Sequence, residues 1–246
     1  MSLVNFRDPA VLADPGGRWI RPGALYRSAQ PFPAADEATV DQLRAADVRT
    51  VVDLRSSAEC DPADWAAVEA TGVTVVAARV DPASDTVAAA MRTMTGAADL
   101  GAFYLLMAEQ APGAVAVAVE AAARPGGVLL HCAAGKDRTG LLTALLLDVL
   151  GVPAEEIIAD YARTTDALPQ IFAGLAERHR TALNDTAARR SVPAPLLAAP
   201  AEAMATFLDL VRTRHGGSAA FLAACGVTAA TLDAFRAKTA PEAVAC

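Results

Sequence analysis

The stretch that most restricts how this chain can fold runs from Pro125 to Pro153. Pro125-Gly126-Gly127 breaks the chain, and Val128-Leu129-Leu130-His131 follows as a short apolar run. The polar loop His131-Cys132-Ala133-Ala134-Gly135-Lys136-Asp137-Arg138-Thr139-Gly140 then leads into the apolar segment Leu141–Leu150, closed by Gly151 and Pro153. A short apolar run bounded by breakers reads as a strand buried on both faces. The longer apolar segment, stopped by Gly and Pro, reads as a buried helix. The polar loop is therefore a strand-to-helix junction, and a strand buried on both faces needs helices above and below it.

The same alternation recurs along the chain. Thr50–Leu54 is a β-branched run and Val73–Ala77 a second short one, both expected as strands. Helical spacing covers Asp36–Ala46, Pro62–Ala70, Thr86–Gln110 and Gly113–Arg124. Arg18–Ile20 and Ala24–Tyr26 flank Arg21-Pro22-Gly23 and are expected to pair as a hairpin. Strands interleaved with helices predict an α/β fold with a central, mostly parallel sheet flanked by helices. From Ala154 onward the pattern is helical without strands. Ile157, Ile158, Tyr161 and Leu168 make one apolar stripe, extended by Phe172 and Leu175, and Phe207, Leu208 and Val211 make another. Arg189–Pro195 reads as a connector between them. A chain of 246 residues with 54% hydrophobic content suits one domain over residues 1–246. Its abundant Ala raises helix propensity almost everywhere, which leaves element types legible and blurs their ends.

Several classes of function are excluded by what the sequence carries. The formal net charge is −7, with no basic run and no basic-aromatic interleaving, so no nucleic-acid partner is expected. No apolar run approaches the roughly 18 residues of a membrane span, and no secretory signal opens the chain. A cytoplasmic setting is expected, with export lacking such a signal left open. The 4 Cys (Cys60, Cys132, Cys225 and Cys246) fit neither zinc ligation nor a disulfide framework, and no metal or cofactor is expected.

The chemistry is concentrated in the junction loop. A loop entering a helix points backbone N–H groups at one spot and adds the positive end of the helix dipole, a combination that cradles a phosphate dianion. Cys132 opens this loop and Arg138 closes it, with five residues between. That spacing lets the loop wrap the phosphoryl oxygens with the sulfur beneath phosphorus, while Arg138 returns a planar fork to two oxygens. Ala133 and Ala134 are small enough to leave the cradle open, Gly135 permits the tight turn, and Gly140 keeps the first helical turn slim. The cradle's field favours the thiolate of Cys132, the attacking form in nucleophilic catalysis. Thr139 is placed to help that thiolate depart. A general acid must protonate the leaving oxygen: Asp137 inside the loop is one candidate, and Asp81 and Asp85 are others. Lys136 adds positive charge at the mouth or orients an Asp. The expected site is thus Cys132, Asp137 and Arg138 as catalytic residues, with Ala133, Ala134, Gly135, Lys136, Asp137 and Arg138 around the phosphate.

These residues resemble the signature of the protein tyrosine phosphatase superfamily, and most closely its atypical bacterial tyrosine/serine phosphatases. The resemblance extends to Asn5-Phe6-Arg7-Asp8, to Arg21 through Ser28, to Val51 through Ser56, and to His215-Gly216-Gly217 through Leu222. The segment Pro9–Pro15 departs from the family's pattern. The resemblance implies a phosphatase fold, Cys132 as nucleophile, Arg138 as phosphate clamp, and a C-terminal helical lid at about residues 154–214. It favours Asp137 as general acid, because relatives with Asp between Lys and Arg do without a mobile Trp-Pro-Asp loop, and this chain has none. The Lys136-Asp137 pair also resembles phosphoinositide phosphatases. The implied substrates are phosphotyrosine in a phosphoprotein or phosphopeptide, phosphoserine and phosphothreonine, and as an alternative a phosphoinositide. A phosphate-binding module without activity and a sulfur- or arsenate-handling enzyme are the competing classes; intact Cys132, Asp137 and Arg138 weigh against the first and the Lys-Asp-Arg-Thr-Gly tail against the second.

Other polar residues have structural readings. Asp53 and Arg55 are expected to pair and brace the loop, and His131 to bond the loop backbone. His179 and His215 are expected at the surface, and Tyr161 in lid packing. Cys60 as a disulfide partner of Cys132 and Arg163 as a phosphate contact are the less favoured readings of those residues.

Overall fold

The computed structural model describes residues 2–10, 19–80, 85–179 and 192–241. Its sheet contains β1 (Leu25–Ser28), β2 (Val48–Asp53), β3 (Thr74–Ala77) and β4 (Gly127–His131), in the order β1-β4-β2-β3. Every pairing is parallel. Every residue of β4 is buried, whereas the edge strand β3 is partly exposed. Register aligns the carboxyl ends of the strands in one row: Ser28 lies beside His131, His131 beside Asp53, and Asp53 beside Ala77. In open parallel sheets this is the edge where sites form.

Side chains alternate across the strands, so consecutive residues serve different cores. Val51 and Leu129 point to a smaller core with Leu43, Trp65 and Val68. These last residues come from α1 (Glu37–Ala45), α2 (Ala66–Glu69) and the residue just before α2. Val52, Val128 and Leu130 point to the larger core on the opposite face. That core is filled from α3 (Asp85–Thr93), α4 (Ala97–Glu109), α5 (Pro112–Ala122), α6 (Asp137–Val149), α7 (Ala154–Ala162), α9 (Ala201–His215), α10 (Ser218–Ala224) and α11 (Ala229–Thr239). Helix α8 (Thr164–His179) sets Leu168 and Ile171 against Ala29 and packs Ala134 of the junction loop. Helix α9 lies along α4, with Phe207 edge-on to Tyr104 at a centroid distance of 6.3 Å. Among the described residues no single helix is long and apolar enough to cross a membrane.

Some local expectations fail for identifiable reasons. Ala24–Tyr26 does not form a hairpin arm. Residues 25–28 instead pair in parallel with β4, and Arg27 makes an antiparallel bridge to Arg7. Arg18 lies outside the described residues. The expected helix Thr86–Gln110 is divided, because the Asp99 carboxylate accepts the amides of Thr95 (2.8 Å) and Gly96 (3.0 Å) and starts a new helix there. Only residues 66–69 of Pro62–Ala70 are α-helical. The apolar helix begins at Asp137, before its first apolar residue.

Candidate active site

The loop leaves β4 at His131 and enters α6 with Lys136 at the N-cap and Asp137 as first helical residue. Its shape is imposed from behind. Gly135 has φ of +66°, and a Cβ there would stand 2.2 Å from the Ser28 carbonyl oxygen, so glycine alone fits. The Gly135 carbonyl accepts from Arg27 Nη2 (2.9 Å) and from Asn5 Nδ2 (3.2 Å). The Ala133 carbonyl accepts the Gln30 amide (3.2 Å). With these carbonyls held outward, the amides from Ala133 to Arg138 donate no hydrogen bond within the described residues. Cys132 is buried at the base of this turn, and Thr139, also buried, has a hydroxyl with no hydrogen-bond partner among the described residues.

Arg27 is itself buried and held by Asp160, which accepts from Arg27 Nη1 (2.6 Å) and from Arg7 Nε (2.7 Å). Burial alone would raise the Asp160 carboxyl, but the two guanidinium groups hold it below its ordinary value. Burial, assisted by the neighbouring Arg27, pulls Arg7 down to about 10. Gly140 lets α7 come close, since a Cβ there would meet the Tyr161 ring at 3.0 Å.

Arg138 is locked into a two-pronged pair. Its Nη1 and Nη2 donate to Glu59 Oε2 and Oε1, each at 2.6 Å. Both partners respond. Burial opposes ionisation of each, yet Glu59 is pulled down to about 2 and Arg138 is pushed above its ordinary value. Cys132 and Asp137 add to the field at Arg138, so both lie within electrostatic reach of it. Glu59 is set by a short 3-10 turn (Ser57–Glu59) after β2, and its Oε2 also accepts the Ser56 amide at 2.8 Å.

A second buried network holds that turn. Arg55 donates to both Asp53 oxygens (Nε 2.9 Å to Oδ1, Nη2 2.6 Å to Oδ2), to Gln30 Oε1 (3.0 Å) and to Asp64 Oδ2 (2.8 Å). Arg178 of α8 closes on Asp64 at 2.7 and 2.8 Å. The expected Asp53-Arg55 pair is therefore present and extends to α8. His131 behaves as expected. Trp65 Nε1 donates to its Nε2 (3.1 Å), so the proton sits on Nδ1, 3.3 Å from the Cys132 carbonyl that accepts it. Burial pushes His131 down to about 4 and keeps it neutral.

Of the acid candidates, Asp137 and Asp85 lie among the described residues. Asp137 Oδ1 accepts from the Tyr104 hydroxyl (2.6 Å) and lies 3.2 Å from Lys136 Nζ. Asp81 lies outside the described residues, and Asp85 is exposed at the start of α3. Lys136 is not at an open mouth. It is buried, and its ammonium donates to the carbonyls of Leu196 (2.6 Å) and Ala198 (2.7 Å), at the 3-10 turn Ala194–Leu197 and just beyond it. Its 3.2 Å approach to Asp137 Oδ1 accords with the expectation that it orients an Asp, and its burial against two carbonyls does not accord with a charge at the mouth. Cys60 is a free thiol against Ser56 O (3.2 Å) and Arg79 Nη1 (3.3 Å). Arg163 is exposed at the end of α7, and His215 is half-buried, paired with Glu109 at 2.9 Å. Arg189, Arg190, Cys246 and the His179 side chain lie outside the described residues.

Sequence reasoning missed the roles of Glu59, Asn5, Arg7, Asp160 and Tyr104. Glu59 alone carries a local signal, the Ser-x-x-Glu spacing of a capping box at Ser56–Glu59.

Comparison with known proteins adds an independent line. The profile described as "Tyrosine phosphatase family" matches residues 1–240. A Cupriavidus necator chain that carries the name of a tyrosine-protein phosphatase is 35% identical over 218 residues, 85% of this chain and 74% of its own. The triple specificity protein phosphatase PtpB of Mycobacterium tuberculosis is 30% identical over 270 aligned positions, spanning 94% of this chain and 95% of its own. The crystal structure of P. aeruginosa TpbA covers 65% of this chain and 87% of its own, at 23% identity and a TM-score of 0.35.

Proposed function

This chain belongs to the tyrosine phosphatase family and is a protein-tyrosine phosphatase, and we propose that it works through a phosphocysteine formed on Cys132. The observation that carries the reading is the cradle from Ala133 to Arg138. Its carbonyls are turned away, its amides are unclaimed within the described residues, and Cys132 lies at its base with Arg138 held by Glu59 at its end.

The two prongs to Glu59, with a third bond from Nη1 to the Leu54 carbonyl (3.5 Å), leave Arg138 its Nε–H and the second N–H of Nη2, one for each of two phosphoryl oxygens. Fixed amides and Arg138 meet the charge that spreads over the equatorial oxygens as phosphorus is transferred. The thiolate of Cys132 forms the S–P bond as the P–O bond to the leaving group breaks, and Asp137 gives its proton to the departing oxygen. Water then attacks phosphorus, Asp137 takes up its proton, and the S–P bond breaks to release phosphate. The buried hydroxyl of Thr139, unpaired among the described residues, is the neighbour available to the departing thiolate.

The substrate is phosphotyrosine in a protein or peptide, with phosphoserine and phosphothreonine beside it; the likeness to a phosphatase named for triple specificity supports more than one class of phosphoester. A multiply phosphorylated lipid is disfavoured, because the Lys136 ammonium is committed to two backbone carbonyls. The whole chain acts as one phosphatase domain in the cytoplasm, with residues of the 154–214 region covering the site.

Hydrolysis of p-nitrophenyl phosphate by wild type and C132S, in chelator without added metal, tests the reading. Turnover by wild type that is abolished in folded C132S is the expected result. A folded wild type without turnover from about pH 5 to 8, where an activated thiolate works, would instead assign the cradle to phosphate binding alone.

A further inference from the structure

Three oxygen-bearing side chains from three helices form a line that ends on Asp137. Tyr161 comes from α7, Tyr104 from α4, and Asp137 from the first turn of α6. The Tyr104 hydroxyl donates to Asp137 Oδ1 at 2.6 Å, and the two phenol oxygens are 2.6 Å apart. Tyr104 has a single proton to give. With it directed at the carboxylate, the Tyr161 hydroxyl must donate to Tyr104. Both phenols are buried, with rings edge-on at 6.0 Å, so solvent does not compete for either hydroxyl. Burial first, and the charge of Asp137 next, raise Tyr104 well above the ordinary tyrosine value, so it stays a donor at every working pH. Lys136 Nζ also lies on Oδ1, at 3.2 Å, whereas Oδ2 of Asp137 makes no hydrogen bond within the described residues.

We infer that Tyr104, backed by Tyr161, is a positioning residue for the acid of this reaction: it holds Oδ1 of Asp137 so that the transferable proton sits on Oδ2. The inference rests on the assignment of Asp137 as general acid. Its physical basis is donor counting. A proton on Oδ1 would face the Lys136 ammonium, and Tyr104 could accept it only if both hydroxyls turned over, with Tyr104 donating to Tyr161. The donors aimed at Oδ1 therefore favour the acid form that carries its proton on Oδ2. As the S–P bond forms and the P–O bond breaks, that proton passes from Oδ2 to the leaving oxygen, and Asp137 becomes a carboxylate. The Tyr104 hydrogen bond then becomes charge-assisted, and the Tyr161 hydroxyl strengthens it by polarising Tyr104. No proton moves along the tyrosines; they fix which oxygen is the acid and stabilise the charge left behind.

A purely structural tie between α4, α6 and α7 would show the same contacts, so the test must depend on leaving-group basicity. The measurement is kcat/KM for p-nitrophenyl phosphate and for phenyl phosphate, in wild type, D137N, Y104F and Y161F. Phenolate, with a pKa near that of tyrosine at about 10, needs the proton on departure, while nitrophenolate leaves readily without it. D137N should raise the p-nitrophenyl to phenyl ratio by ~100-fold. Y104F should raise it about 10-fold, the value of one hydrogen bond to a charged group, and Y161F about 3-fold, a fraction of the same bond passed through Tyr104. Each variant keeps its ring or volume, and its melting temperature reports that it is folded. Y104F with an unchanged ratio, while D137N raises it, overturns the positioning role and leaves the acid in place. An unchanged ratio in D137N overturns the assignment of Asp137 and the inference with it.

Discussion

Gly135 shows how a single residue sets the site. A Cβ there would press on the carbonyl oxygen of Ser28 at 2.2 Å and on the amide of Ala29 at 2.5 Å. Both are backbone atoms at the end of β1, and neither can retreat without parting the strand from β4. The left-handed conformation at φ +66° adds a strain of roughly 1–3 kcal/mol for any other residue. G135A is therefore expected to lose more than ~3 kcal/mol of stability, because clash and conformation add, and to lose activity with it. Thermal melting beside a p-nitrophenyl phosphate assay checks both. A variant that melts with wild type would mean that the loop relaxes away from β1, against the contacts described. Ala133 and Ala134 need no such argument; their part is to be small.

At the scale of elements, the contact that distinguishes this site is the one between the start of α6 and the 3-10 turn Ala194–Leu197. Lys136 reaches from the helix N-cap to the carbonyls of Leu196 and Ala198, 60 and 62 positions away. A buried ammonium must be satisfied by acceptors, and here those acceptors fix the turn that precedes α9. K136M keeps the stem and removes the donor. It is expected to speed hydrogen exchange at the amides of residues 196–199 by about 10-fold, the value of one charged hydrogen bond, and to leave β4 unchanged. Unchanged exchange at the turn would show that apolar packing, not Lys136, holds it. This contact also marks the limit of what the sequence reveals. The strands at Thr50–Leu54 and Val128–His131 were legible because apolar runs between breakers are local signals. The Cys132-to-Arg138 loop was legible because its spacing lies within one junction. The pairs Arg138-Glu59, Tyr104-Asp137 and Asn5-Gly135 join positions 79, 33 and 130 apart, which no local pattern encodes. The expected hairpin failed for the same reason. Pro22-Gly23 reads locally as a reversal, while the true partner of Leu25 is Val128, brought alongside by the fold.

For the whole molecule, the consequence is a dependence of stability on pH that originates at the centre of the sheet. His131 ends the innermost apolar strand, fully buried, and both ring nitrogens are committed: Nδ1 donates to the Cys132 carbonyl and Nε2 accepts from Trp65. Protonating Nε2 would set it against the Trp65 N–H, and burial outweighs the attraction of Asp53 Oδ1, which lies 3.4 Å from Nε2. Burial accordingly pushes His131 from 6.5 to about 4. The unfolded chain then binds a proton between those values that the folded chain does not, so stability rises with pH in that window. The contribution is fully present above the unfolded value of 6.5 and is lost as pH falls toward about 4. Glu59, pulled from 4.5 to about 2, has the same sign but a lower window: its contribution is complete above 4.5 and fades only below it. Urea unfolding between pH 6.5 and 5 therefore isolates the histidine. Wild type is expected to lose stability at a slope approaching ~1.4 kcal/mol per pH unit at the acid end of that interval. H131Q, less stable throughout, is expected to be flat across it. Parallel curves for the two proteins would place the titrating group elsewhere, and a flat wild type would mean that the cavity between Trp65 and the loop accepts imidazolium. With the expected slope, acid weakens the junction of β4 and the phosphate cradle before it reaches the carboxylates that brace Arg138.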